Sequence, residues 1–142
     1  MQALRPLALE EKPLTVALQD LIERMTTGMQ MKAKLTLQGE PIDLPPEWEN
    51  NLLRIGQEVL TNAIRHSQAS KFDAMLVFET GEIRLEVRDN GLGFDPAKTN
   101  GGFGVQGIKE RVNGMGGKFT IQSAEGKGTR ILISLPLKTA LR

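Results

Sequence analysis

Arg54-Ile55-Gly56-Gln57-Glu58-Val59-Leu60-Thr61-Asn62-Ala63-Ile64-Arg65-His66 is the stretch on which the fold turns. Ile55, Val59 and Ala63 recur at helical spacing and continue the stripe begun by Trp48 and Leu52, which predicts a long helix over about 46 to 66. An apolar face of that length must pack on something broad. Beside it Glu58, Asn62 and His66 stand at i, i+4 and i+8 and form a polar strip on the same helix. A carboxylate, an amide oxygen and an imidazole so arranged could hold a hard cation, because Mg²⁺ takes oxygen ligands and keeps several waters. An ordinary solvated helix face has the same spacing.

The broad partner follows at once. Phe72, Ala74, Leu76 and Phe78 alternate as strand residues do, and Ile83, Leu85 and Val87 alternate with Arg84, Glu86 and Arg88. Thr80 to Glu82 then reads as a tight turn around Gly81. Further on, Phe119 and Ile121 pair in pattern with Ile131, Ile133 and Leu135 across a hairpin at Glu125 to Gly128. Upstream, Leu14, Leu18, Leu21, Ile22, Met25 and Met29 share a stripe on a helix over about 13 to 27, with Pro13 in the first turn and Gly28 near the end. Lys34 to Gln38 reads as a strand, and Gly39 to Pro46 is turn-rich. Between the hairpins, Asn90 to Phe103 reads as a loop, followed by a short helix on which Val105, Ile108 and Val112 share a face and which ends at Gly114. The sum is an α+β, two-layer α/β sandwich: a mixed, mostly antiparallel sheet with helices on one face.

Composition bounds the class. A chain of 142 residues fits one domain with a single core. Eighteen basic and 17 acidic side chains leave a formal charge of +1, too balanced for direct nucleic acid binding, which needs clustered Lys and Arg. The absence of cysteine excludes disulfides and thiolate metal sites. The longest apolar run, Ala74 to Phe78, is far shorter than a membrane helix, and no signal-peptide pattern opens the chain. Twelve of the 15 glycines lie between Gly81 and Gly128, so that half of the chain needs unusual backbone geometry or close approach.

Three glycine motifs fall there. Asp89-Asn90-Gly91-Leu92-Gly93-Phe94 closes a strand, and a carboxylate beside two glycines can accept from a flat heterocycle lying on the backbone; an Asx turn has the same letters. Gly102-Phe103-Gly104-Val105-Gln106-Gly107 enters the short helix, whose free N–H groups suit a phosphate. It follows a loop rather than a strand, and Glu125 lacks strand–helix alternation around it, which argues against a dinucleotide fold and a dehydrogenase. No P-loop, V-A-I-K or H-R-D motif occurs. Gly126-Lys127-Gly128-Thr129 is the last, a hairpin turn entering a strand.

The order of these motifs resembles the ATPase domain shared by histidine kinases, gyrase, Hsp90 and MutL, the Bergerat fold. Arg54 to His66 looks like the N box of sensor kinases of the nitrate-sensor type, Asp89 to Phe94 like the G1 box, and Gly102 to Val112 like the G2 box. Leu4-Arg5-Pro6-Leu7 is similar to the segment that leaves the dimerisation helices, so residues 1–12 read as a residual linker before a catalytic domain that fills the rest of the chain.

The resemblance implies ATP and Mg²⁺ as ligands: Asn62 on the Mg²⁺ that bridges the phosphates, Arg65 and His66 near those phosphates, and Glu58 assisting the attacking nucleophile. Asp89 would receive the adenine amino group with Thr129 beside it, Gly91 and Gly93 would let the base approach, and Gly102, Gly104, Val105 and Gly107 would shape the lid and the phosphate-binding helix start. The implied activity is transfer of the γ-phosphate to a histidine on a separate dimerisation and phosphoacceptor domain, and thence to a response regulator with a helix-turn-helix output domain. It also implies a cytoplasmic domain, in a parent kinase that can be membrane-anchored. The only histidine is His66, inside the N box, so autophosphorylation in cis is not expected; residues before Leu14 are too few for a dimerisation hairpin, so a monomer is. The competing readings are a stand-alone Ser kinase of the anti-sigma type and an interaction module that responds to nucleotide without turnover.

Overall fold

The computed structural model describes residues 13–93, 95 and 105–137, apart from the side chains of His66 and Ser67. The linker expected over residues 1–12 lies outside them.

Helix α1, Leu14–Thr26, starts behind Pro13 and buries Leu14, Ala17, Leu18, Leu21 and Ile22, the i, i+3, i+4 stripe of its sequence. Its C-terminal hydroxyls turn back on the helix, Thr26 Oγ1 to Ile22 O and Thr27 Oγ1 to Glu23 O, and Gly28 at φ +81° leads the chain away. Strand β1, Lys32–Gln38, begins two residues earlier than the alternation predicts. Helix α2, Pro46–Asn62, has Pro at its first position and Glu47 and Glu49 in its first turn, where the helix dipole favours them. It buries Trp48, Leu52, Ile55, Val59 and Leu60.

The long helix departs from expectation at its end. Its α-helical part stops at Asn62, and Ala63–Ser67 forms a π-helical turn that closes at Gln68 in a left-handed conformation, φ +53°. Each residue of an i→i+5 turn advances round the axis by less than in an α-helix. Glu58 and Asn62 therefore share an α-helical strip, while the backbone of His66 falls on the wide turn. The turn keeps Ala63 buried and Ile64 packed on the core.

Strands β2 (Lys71–Glu79) and β3 (Glu82–Asp89) form the predicted hairpin, with Gly81 at φ +84°. Helix α3 (Val105–Gly114) precedes a second hairpin, β4 (Lys118–Ser123) and β5 (Thr129–Pro136). The sheet order is β1-β2-β3-β5-β4. Among the described strands only β1 and β2 run parallel, a pairing that requires a crossover, and α2 with its flanks supplies one. One face of the sheet buries Phe72, Ala74, Leu76, Ile83, Leu85, Val87, Ile131, Ile133 and Leu135 in the core that also holds the stripes of α1 and α2 and Ile108 and Val112 of α3. The other face carries most of the charged strand residues beside Met75, Val77 and Leu132, with Arg130 Nη2 2.8 Å from Glu86 Oε1 and Arg84 Nη2 2.6 Å from Glu79 Oε1. This is the two-layer α+β sandwich expected.

Candidate functional site

Asp89 is the last residue of β3, and its register partner on β5 is Thr129, so the ends of two neighbouring strands bring together residues 40 apart in sequence. Its carboxylate accepts the Gly91 N–H at 2.9 Å and the backbone N–H of Thr129. Burial pushes the carboxyl above its ordinary value of 3.8, and the two N–H donors pull it back only in part. A half-buried carboxylate with two backbone donors retains free lone pairs for a further donor. The Thr129 hydroxyl lies 2.8 Å from Ser123 Oγ, which in turn donates to Gly128 O at 3.0 Å, so the hydroxyls are fixed across the β4–β5 hairpin.

The glycines here are required by crowding. Gly93 has φ +67°, and a Cβ there would strike the carbonyl oxygens of Ala124 and Gly128. Gly128, at φ +77°, leaves no room for a Cβ against Asp89 O. The backbone after Asp89 therefore lies flat against the β4–β5 turn, held by a hydrogen bond from Gly126 N to Leu92 O. An open groove of about 760 Å³ surrounds these strand ends, lined by Asp89, Gly128 and Thr129 and, from the charged face of the sheet, by Lys71, Arg88 and Arg130.

Asn90, which sequence reading treated as a turn residue, has a definite task. Its Oδ1 accepts the N–H groups of Ser70 and Lys71, both at 2.9 Å, and its Nδ2 donates to Ser70 Oγ at 2.8 Å. It pins the start of β2 to the end of β3 and so fixes the path of the chain out of Asp89. Asp-Asn-Gly carries no signal for a partner 20 residues upstream.

On the helical side Glu58 and Asn62 are both half-buried on α2. Glu58 is not a merely solvated strip residue: Arg111 of α3 places Nη2 3.4 Å from its Oε1 and Nη1 3.5 Å from Asn51 Oδ1. Sequence reasoning gave Arg111 no role: it lies within Gly102 to Val112 but beyond the last glycine of the motif, Gly107, and no local pattern points across to α2. Arg65 is exposed on the π-helical turn, Val105 is half-buried at the start of α3, and Gly107 is exposed there with none of the described residues within 4 Å of an added Cβ. Gly102 and Gly104, the side chain of His66, and Phe94 lie outside the described residues. The structure thus brings Asp89, Gly91, Gly93 and Thr129 together, and links Glu58 to α3. Among the described residues no three His, Asp or Glu side chains converge as a metal cage. No helix among the described residues is long and apolar enough to cross a membrane.

Comparison with known proteins places this geometry. Residues 49–139 match the family described as histidine kinase-, DNA gyrase B-, and HSP90-like ATPase. The chain is 37% identical over 136 residues to the sensor histidine kinase LiaS of Bacillus subtilis, covering 94% of this chain and 37% of that protein. Against the histidine-protein kinase/phosphatase DegS of the same organism it is 37% identical over 141 residues, covering 94% and 36%. The chain therefore spans little more than a third of these relatives. Among solved structures, the catalytic domain of histidine kinase ThkA superposes with a TM-score of 0.71 at 14% identity, over 88% of this chain and 92% of that one. The histidine kinase domain of the blue-light activated kinase of Erythrobacter litoralis EL346 gives 0.69 at 22% identity, over 88% and 59%. At such identities the structures attest the fold, and the family match attests descent: similar in sequence to sensor histidine kinases, this chain belongs to the histidine kinase-, DNA gyrase B-, and HSP90-like ATPases.

Proposed function

We propose that this domain binds ATP with Mg²⁺ and transfers the γ-phosphate to a histidine on a separate dimerisation and phosphoacceptor domain, from which a response regulator with a helix-turn-helix output domain is served. Placement in the nitrate-sensor type of kinase, on the text of Arg54 to His66, belongs to the same proposal, as does a cytoplasmic setting. The observation that carries it is the Asp89 carboxylate, half-buried at the strand end and held by two backbone N–H groups beside the Thr129 hydroxyl, over backbone too close-packed for any residue but glycine at 93 and 128. That is an acceptor with capacity for a further donor beside closely packed backbone, which suits the amino group of an aminopurine.

Each residue then has a defined share. Asp89 accepts the adenine amino group and Thr129 supports it. Gly91 and Gly93 leave the backbone open to the base. Asn62 offers an amide oxygen of the kind Mg²⁺ accepts, and bound Mg²⁺ would neutralise charge spread over the phosphate oxygens. Arg65 and His66 add positive charge or donors near the phosphates, and the N–H groups at the start of α3, around Val105 and Gly107, face the same anion with Gly102 and Gly104 before them. Glu58 orients the attacking nitrogen or takes its proton. Positioning and charge neutralisation account for most phosphoryl-transfer catalysis, so this distribution of roles matches the chemistry.

Calorimetry with an ATP analogue and Mg²⁺ tests the reading. Asp89→Asn leaves the adenine amino group facing an amide that can present only one acceptor oxygen, a loss of about 1 to 3 kcal/mol, or roughly five- to 150-fold in affinity. Asn62→Ala removes the Mg²⁺ dependence of binding. A chain that binds no adenine nucleotide would sink the proposal and leave an interaction module of the same fold. Labelling of a phosphoacceptor domain supplied in trans separates this kinase from a Ser kinase, because phosphohistidine is acid-labile and phosphoserine is acid-stable.

A further inference from the structure

Arg111 joins the two helices that carry the phosphate-side residues, yet none of the roles above uses it. It lies in the last turn of α3, and its guanidinium reaches two acceptors on α2 that are seven residues apart: Glu58 Oε1 at 3.4 Å and Asn51 Oδ1 at 3.5 Å. Its Nε is buried and has no hydrogen-bond partner among the described residues. The side chains are 27% exposed for Arg111 and 35% for Glu58, so the pair sits at the rim of the core with one side open.

Magnitudes decide what such a contact is for. Both distances are at the long end of the hydrogen-bond range, and a partly exposed pair of this kind adds little stability. Helix α3 is already seated by Ile108 and Val112, each completely buried. Removing the guanidinium would leave the helix docked and the Glu58 carboxylate free to rotate. The contact therefore governs where Glu58 points more than whether α3 stays in place. A guanidinium suits the task because its planar fork can address two separated acceptors at once, whereas an ammonium is a single point charge.

We propose that Arg111 is a positioning residue for Glu58: its guanidinium holds the carboxylate in the orientation from which it meets the incoming nucleophile. This makes that orientation depend on the seating of α3, the helix that begins directly after Gly102-Phe103-Gly104. The inference rests on the role proposed for Glu58 above, and it adds a residue through which the seating of α3 acts on the Glu58 carboxylate.

Two measurements test it. In ¹⁵N-labelled chain, the Arg111 Nη signals are resolved by slowed rotation, and they collapse in Glu58→Ala. Unchanged signals overturn the proposal without reference to activity. In transfer from ATP to a phosphoacceptor domain supplied in trans, Arg111→Ala lowers the rate on the order of ten- to a hundredfold, within what a general base itself contributes, while ATP-analogue Kd stays within about threefold. Arg111→Lys restores part of the rate, and Arg111→Ala adds nothing in a Glu58→Gln background. Losses that multiply with those of Glu58→Gln, or a weakened Kd that accounts for the slower transfer, overturn this role alone. A wild-type chain that binds the analogue but labels no acceptor overturns the kinase reading and this role with it.

Discussion

Replacing Gly93 by alanine adds one carbon where the segment leaving β3 lies on the β4–β5 turn. The new Cβ meets the carbonyl oxygens of Ala124 and Gly128, the second at 2.8 Å, and the residue must keep a φ of +67°. A left-handed conformation costs a residue with a Cβ about 1–2 kcal/mol, and overpacking adds about 1–3 kcal/mol, so the total is roughly 2–5 kcal/mol. If the segment stays attached, the melting temperature falls by roughly 5–15 °C for a domain of this size. If it detaches, the melting temperature falls less, but the hydrogen bond from Gly126 N to Leu92 O opens and the Gly126 amide loses its exchange protection. Calorimetric melting and amide exchange read the two alternatives, and in both cases analogue affinity drops because the surface beside Asp89 is displaced. Gly107→Ala is the matched control: none of the described residues lies within 4 Å of its Cβ, and alanine in a helix is favoured over glycine by about 0.5–1 kcal/mol, so stability holds or rises. A Gly93→Ala chain with wild-type melting, wild-type Gly126 protection and wild-type affinity would refute the crowding argument outright.

Asn90→Ala removes the acceptor of two backbone N–H groups and lowers stability by about 1 kcal/mol, since the freed groups are exposed to water; urea unfolding that shows no change would leave the staple without energetic weight. The raised pKa of Asp89 gives a pH signature. The carboxyl binds its proton more readily folded than unfolded, so its contribution to stability is fully present below the ordinary value of 3.8 and is lost as pH rises through the raised folded value. An adenine amino donor favours the ionised form, so analogue affinity weakens as pH falls from neutral through that raised value, and calorimetry of Asp89→Asn shows this component gone.

Much of the site was legible because its chemistry is local. The approach of backbone to backbone at Gly93 and Gly128 demands glycine, and the carboxylate at the end of β3 announces itself by closing an alternating strand. The α2 stripe was read correctly as far as Asn62, but the continuation to 66 as α-helix was not, because Ala63 to Ser67 contains no residue that forces a wide turn. Periodicity alone extends a helix until something breaks it, and here packing of Ala63 and Ile64 accompanies the change of pitch.

By itself, the sequence determined the elements, which face of each is apolar, and the carboxylate and glycines proposed for the nucleotide site, because period 2, period 3.6 and glycine's freedom are properties of neighbouring residues. Tertiary structure alone decided the sheet order, with β1 parallel to β2 and β5 inserted beside β3, since alternation tells a strand its face and not its neighbour. It also decided the partners of Asn90 and Glu58, which lie 20 and 53 residues from the groups they meet. Hydrogen bonds across such separations leave no pattern in a single chain of letters; they exist only once burial of the helix and strand stripes has brought the elements together.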